Sequence, residues 1–241
     1  MKQVFALTIL IFTTQIAFSQ KPDLSFPYPT MPAYGKTLDD FVPKDWNIID
    51  TVTGDLNKDN TEDAAMILEY KDSVIERNRA IWRNQKQKTT PRILVLVLKI
   101  ANQYELKVQQ NVLVLRKNEG DDTYPDDPYE SMEIIKGVLH LNFRWSVMGG
   151  GQAMHYIIRY QSNDFYLIGY TFESGYHSSI TTSDFNFSTK KYQQYGYDDE
   201  TGRGGKYEEF NIKKKLPASS LKKLGDLKEP GTWKVIDNET I

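Results

Sequence analysis

No cysteine occurs among the 241 residues. That absence removes the disulfide staples of small extracellular modules, the thiol nucleophile, and a lipid-modified cysteine anchor behind an exported start. Histidine is nearly as scarce: His140, His155 and His177 are the whole supply. Each lies inside or beside a strand-like run, where a sheet histidine satisfied by its neighbours is the expectation. No Gly-x-Ser-x-Gly elbow and no His-Glu-x-x-His pair occurs. The glycine clusters at Gly149–Gly151 and Gly202–Gly205 lack the Gly-Lys-Ser/Thr ending of a phosphate loop and read as hairpin turns. Charge of one sign is lacking too. A net charge of −2, with both signs spread along the chain, gives no footprint for a nucleic-acid partner.

What is present starts with an address. Lys2 is followed by an uncharged, largely apolar run to Gln20, with Ala17 and Ser19 placed as a small-x-small cleavage site. Thr13, Thr14 and Gln15 interrupt the apolar core, which favours a cleaved secretory signal over a spanning helix. Residues 1–19 are therefore expected to be a signal peptide cut after Ser19, leaving 222 residues in a secreted or periplasmic protein with no membrane span. That length buries a substantial core without staples.

Residues 20–45 carry Pro22, Pro27, Pro29, Pro32 and Pro43 among Phe26, Tyr28 and Tyr34, so an extended lead-in is expected, its aromatics able to clasp a domain. From Trp46 onward the pattern is that of strands. Trp46–Val52 and Ala64–Tyr70 flank a polar loop, and Arg92–Ile100 is almost continuously apolar, as a central strand would be. Tyr104–Val108 pairs back on it, and Val112–Leu115 reads as a further strand. Residues 71–90, with Arg77, Arg79, Arg83, Lys86 and Lys88, read as a short helix or an excursion from the sheet. A meander follows: Met132–Ile135, Val138–Trp145, Met154–Gln161 and Phe165–Glu173, with turns at Lys136-Gly137, Gly149–Gly151 and Ser162–Asp164. Ser179–Ser188, Lys206–Ile212 and Trp233–Ile236 can each add a strand, while Ser219–Leu224, closed by Gly225, has the start and stop of a short helix. The fold class expected is mainly β, an antiparallel meander or sandwich-like single domain over 46–241 with one or two short helices.

The loop between the first two strands carries the one specific chemistry. Asp55, Asn57 and Asp59 alternate, Thr61 follows with a backbone carbonyl, and Asp63 adds a carboxylate. Calcium takes oxygen ligands from such a set. The sixth loop position needs left-handed backbone, which Asn60 tolerates better than most residues. An EF-hand would require glutamate at the twelfth position, where Met66 stands, so that loop class is excluded. The expected metal ligands are Asp55, Asn57, Asp59, Thr61 and Asp63, holding a structural Ca2+. A solvated Asp/Asn turn is the metal-free alternative.

This loop resembles the FG-GAP or VCBS-type calcium hairpin of integrin-like propeller repeats, with Asn60 in place of the usual glycine. It occurs once, so the resemblance implies a calcium hairpin and not a propeller. Asp127-Pro128-Tyr129-Glu130, Lys136-Gly137-Val138-Leu139, Phe165–Tyr170 and Asp184-Phe185-Asn186-Phe187 resemble the motifs of a family of exported Gram-negative β-rich proteins. That resemblance implies export and a β fold and lends no activity. The expected function is a non-enzymatic binding module for a protein or glycan ligand. The alternative is a hydrolase in which Asp126, Asp127 and Glu130 of the acidic stretch Asp121–Glu130 converge with Glu173 or His177.

Overall fold

The computed structural model describes residues 26–77, 86–119, 126–199, 207–218, 221–229, 231–236 and 239–241. The expected signal peptide, the first residues of the lead-in, Arg79, Arg83, Asp121, Asp122, Ser219 and Ser220 lie outside them. Strands run in the order β1 (Tyr34–Gly35), β2 (Trp46–Gly54), β3 (Asp63–Tyr70), β4 (Val74–Arg77), β5 (Lys86–Thr89), β6 (Arg92–Ile100) and β7 (Gln103–Gln110). They continue with β8 (Tyr129–Ile135), β9 (Val138–Val147), β10 (Gly150–Gln161), β11 (Asp164–Tyr176), β12 (Ser179–Asn186), β13 (Lys191–Asp199) and β14 (Tyr207–Lys215). Short strands β15 (Lys222–Lys223), β16 (Lys234–Ile236) and β17 (Glu239–Thr240) complete the set. The protein is mainly antiparallel β and sandwich-like.

One sheet has the order β1-β7-β6-β3-β2; the larger is the unbroken meander β8 to β14, with β15 added to β11. Strand β3 shows why the two sheets stack. Ala65 and Ile67 point to a core shared with Leu94, Leu96 and Val108 on one side and Leu141, Phe143 and Tyr156 of the meander on the other. Its alternate residues, Ala64, Met66 and Leu68, point the opposite way, into a second core with Ile93, Val95 and Val97. Successive side chains alternate faces, so a strand apolar at every position must be covered twice. The proline-rich lead-in provides the second cover. Phe26, Tyr28 and Trp46 meet ring to ring with centroids 5.2–6.1 Å apart, and Phe41 is fully buried. The lead-in is a clasp.

The meander's turns follow from their residues. Lys136 and Gly137 both have positive φ, +53° and +75°, as do Ser162 and Asn163, the backbone that two-residue hairpins need. Strands β8 to β12 follow the expected meander closely. Strand β13 was not anticipated. Its sequence Lys191–Asp199 is rich in Tyr and Gln, and only Tyr192 and Asp199 are buried, so its apolar alternation is faint. Past it, β14 forms the free edge and is exposed at every residue except Phe210.

Three expectations need correction. Residues 112–115 form bends rather than a strand, although Leu113, Val114 and Leu115 are buried. A buried apolar run does not by itself specify a ladder. The charged stretch after β3 is an excursion in which β4 pairs with β5, and among the described residues no helix forms there. In the described part of the helix expected at 219–224, Lys222 and Lys223 form β15, paired with β11, and a 3-10 turn covers Leu224–Asp226. Leu224 is drawn fully into the core, and the Gln110 amide donates to the carbonyls of Leu224 and Leu227 at 2.7 and 3.3 Å. Those contacts replace the ladder of a helix. A 3-10 turn also covers Leu38–Phe41. No helix among the described residues is long and apolar enough to cross a membrane.

If the clasp is part of the fold, Phe41→Ala will cost about 3–5 kcal/mol, the usual range for emptying a buried aromatic site. Urea denaturation checks this, and a loss below about 1 kcal/mol would show the clasp to be a loose attachment.

Candidate metal centre

The polar loop joins β2 to β3 in the register Gly54 opposite Asp63, so it is the closed end of a hairpin. Inside it the expected ligands organise the backbone. Asp55 accepts from the N–H groups of Asp59 and Asn60 at 3.0 and 2.9 Å. The Asn57 side chain accepts from Asp59 N–H at 3.0 Å and donates to the Asp59 carboxylate at 2.8 Å. Asp59 also accepts from Thr61 N–H at 2.8 Å. These bonds hold its carboxyl below the usual range, the Asn57 side chain contributing most. Asn60 has φ +66°, the left-handed backbone expected at the sixth position, and Lys58 shares it.

Asp63 differs from the rest of the loop. It is fully buried, and its two oxygens accept three N–H groups: Leu56 at 2.9 Å, Asn57 at 3.3 Å and Lys99 of β6 at 2.9 Å. Burial nevertheless pushes its carboxyl up, because three amide dipoles do not fully replace water, and the neighbouring Asp59 charge adds to the effect. The loop as a whole is wedged between the sheets. Leu56 is buried in the shared core, a methyl group on Gly54 would strike Ile134, and one on Gly137 would lie 2.8 Å from the Asp55 carbonyl.

Among the described residues no three His, Cys, Asp or Glu side chains are gathered into a metal cage. Asp55, Asp59 and Asp63 are strung along the loop, each oxygen holding at least one hydrogen bond. A carboxylate oxygen that accepts one N–H retains a second lone pair. Together with the Asn57 amide and backbone carbonyls, the donor set is all oxygen, the chemistry that suits calcium.

The second acidic stretch has a different purpose. Asp127 faces Arg92, the first residue of β6, whose side chain is 1% exposed. All five guanidinium N–H groups find acceptors: Glu69 takes two at 2.9 and 2.6 Å, Asp127 two at 2.7 and 2.5 Å, and the Leu115 carbonyl one at 2.9 Å. Lys117 and Thr90 complete the shell around Glu69. Burial alone would raise the carboxyls of Glu69 and Asp127, but the cationic donors outweigh it and both lie below the usual range. Beside them the Tyr129 hydroxyl donates to Asp50, tying β8 to β2, and burial together with that carboxylate pushes the phenol far up.

The residues of the hydrolase alternative are distributed otherwise. Glu130 pairs with exposed Arg144, Asp126 accepts from the N–H of Asp127, and Glu173 and His177 lie on and just beyond β11. Among the described residues no hydrogen bond or ion pair joins the two groups. Sequence reasoning missed Arg92, which looked like the polar start of a strand. It also missed that His140 and His155, fifteen residues apart, meet with ring nitrogens 2.9 Å apart. The hairpin turn at Gly149–Gly151 was the only signal that could have brought them together. No family model, curated protein or solved structure matches this chain.

Gly137→Ala adds a side chain at positive φ against the Asp55 carbonyl and should lower stability by about 1–3 kcal/mol. Chemical denaturation of the variant checks it. Arg92→Ala leaves Glu69 and Asp127 without their shared cation and should cost about 3–5 kcal/mol. Depressed carboxyls add stability above their ordinary values and lose it as pH falls through the depressed ones. Denaturation midpoints of the unmodified protein should therefore fall below about pH 4.5, with a shallower decline in Arg92→Ala.

Proposed function

We propose that this chain is an exported, calcium-stabilised β protein that acts as a non-enzymatic binding module, secreted or periplasmic. The observation that carries the calcium reading is Asp63: a fully buried loop carboxylate with its charge disfavoured and no basic partner among the described residues. A divalent cation would supply the missing positive charge. Asp55, Asn57, Asp59, the Thr61 carbonyl and Asp63 would hold it, and its chemistry would be structural: neutralising one crowded loop and pinning the corner where the sheets meet.

The binding reading is supported by the outward face of the large sheet. Tyr195 stands opposite Thr182 and Tyr197 opposite Ile180, with Tyr207 edge-on to Tyr197 at 5.4 Å. Tyr195, Ile180 and Tyr207 are 42–51% exposed. Rings with polar tips suit a protein or glycan ligand. The carboxylates of the hydrolase alternative are held by arginines or stand apart, which favours binding over catalysis.

Melting curves in calcium and in chelator test the metal. At a tenfold excess over the dissociation constant, calcium should add roughly 1.4 kcal/mol of stability, and Asp59→Ala should abolish the shift. An unmodified protein that melts identically in both buffers has no such site. A glycan-array screen tests the ligand face: capture lost in Tyr195→Ala supports it, and capture indifferent to that change places the ligand elsewhere.

A further inference from the structure

On the outer face of the large sheet, away from the loop just discussed, the alternation of β9 puts Leu139, Leu141 and Phe143 in the core and His140 and Asn142 outside. In β10 it buries Met154 and Tyr156 and leaves His155 outside. His140 stands opposite Ile157 of β10 and opposite Glu133 of β8. His155 is two residues from Ile157, so the histidines are diagonal neighbours, within reach for long side chains. His140 Nδ1 and His155 Nε2 lie 2.9 Å apart, with ring centroids at 5.0 Å and planes 19° apart. Facing nitrogens that close with centroids that far apart mean rings meeting edge to edge. The two nitrogens point at each other and share one proton, as in an ordinary N–H···N hydrogen bond.

We propose that His140, His155 and Glu133 bind a divalent transition-metal ion, Cu2+ or Ni2+ before Zn2+. With metal–nitrogen bonds of about 2.0–2.1 Å, adjacent ligands are about 2.9 Å apart in a tetragonal site and about 3.3 Å in a tetrahedral one. The 2.9 Å that the shared hydrogen sets is close to the tetragonal spacing, so turning the rings to bring both lone pairs onto one ion needs little change in the distance between the nitrogens. Binding needs no net proton release from the histidines. The ring that donates the shared hydrogen moves its N–H to the far nitrogen through water, and both neutral imidazoles present lone pairs to the ion. Burial holds both histidines below their usual range, which favours the neutral imidazoles that a metal ion needs. Glu133 and Asp184 oppose that effect at His155, Glu133 at His140, and the neighbouring imidazole reinforces it at His155.

Glu133 is exposed and makes no hydrogen bond or ion pair among the described residues, so it is free to swing toward the pair. Asp184 is less available, accepting from Thr171 Oγ1 at 3.2 Å. The imidazoles are the part already together; Glu133 and water complete the shell when the ion displaces the shared hydrogen. The site does not depend on the calcium reading, because nitrogen ligands select transition metals whereas the loop offers only oxygen.

The test is calorimetric titration of the exported chain with Cu2+ and Ni2+ in excess calcium, with electron paramagnetic resonance of the Cu2+ form. The unmodified protein should bind one equivalent, with coupling to two imidazole nitrogens. His140→Ala and His155→Ala should each weaken binding tenfold or more, and Glu133→Gln should weaken it less. His177→Ala should leave it unchanged. Circular dichroism of each variant confirms folding, since His140, His155 and Glu133 lie on the outer face of the sheet, turned away from the core. No stoichiometric binding, or binding indifferent to His140→Ala and His155→Ala, overturns the proposal.

Discussion

Strands β3 and β6 leave the middle of the small sheet without a wet face, and the remaining architecture answers that constraint. A run such as Ala64–Leu68 buries every side chain, so apolar surface must arrive from both directions. The meander supplies one cover and makes the larger core. The lead-in supplies the other, which is why a proline-rich segment unable to form a ladder of its own is packed with aromatic residues. Its irregular backbone lets Phe26, Tyr28 and Phe41 reach the sheet from successive bends.

Strand β3 also carries a carboxylate near each end, Asp63 fully buried and Glu69 partly so, and the two are accommodated differently. Glu69 is met by a guanidinium with all five donors used, and its ionised form is favoured. Asp63 is met by backbone N–H groups alone, and its ionised form is disfavoured. A fixed arginine suits the end where the segments around Leu115 and Asp127 must be held to the sheet. Backbone dipoles leave the other end's charge incompletely matched, at the point where the chain turns and the sheets touch. Removing a charge from water requires a partner or raises the proton affinity, and one strand displays both outcomes.

Much of the fold was legible because side-chain period and turn chemistry agreed. Lys136-Gly137 between alternating runs located a hairpin, and Arg92–Ile100 announced a strand buried on both faces. Legibility failed where burial and hydrogen bonding part company. Leu113–Leu115 is apolar enough for a strand but lies as bends that fill space and present a carbonyl to Arg92. Strand β13 belongs to a sheet yet has few buried residues to mark it. The loop's left-handed Asn60 was readable from residue type alone. The meeting of His140 with His155, and the burial of Arg92 between Glu69 and Asp127, are long-range events set by register and loop closure, which no local pattern encodes.

The meander is wider than the sheet it covers. Beyond β11 its inner face rests on the C-terminal segments around Leu216, Leu224 and Trp233, and by β14 little lies against it on either side. Its outermost ladder is therefore held by backbone hydrogen bonds with scant apolar burial behind them, the least protected kind. Amide protons of β14 should exchange with solvent long before those of β3 or β6, with the edge peeling and resealing while the sandwich stays shut. Lys213, Lys214 and Lys215 line that margin. Their mutual repulsion discourages a second chain from zipping onto the strand whenever it opens.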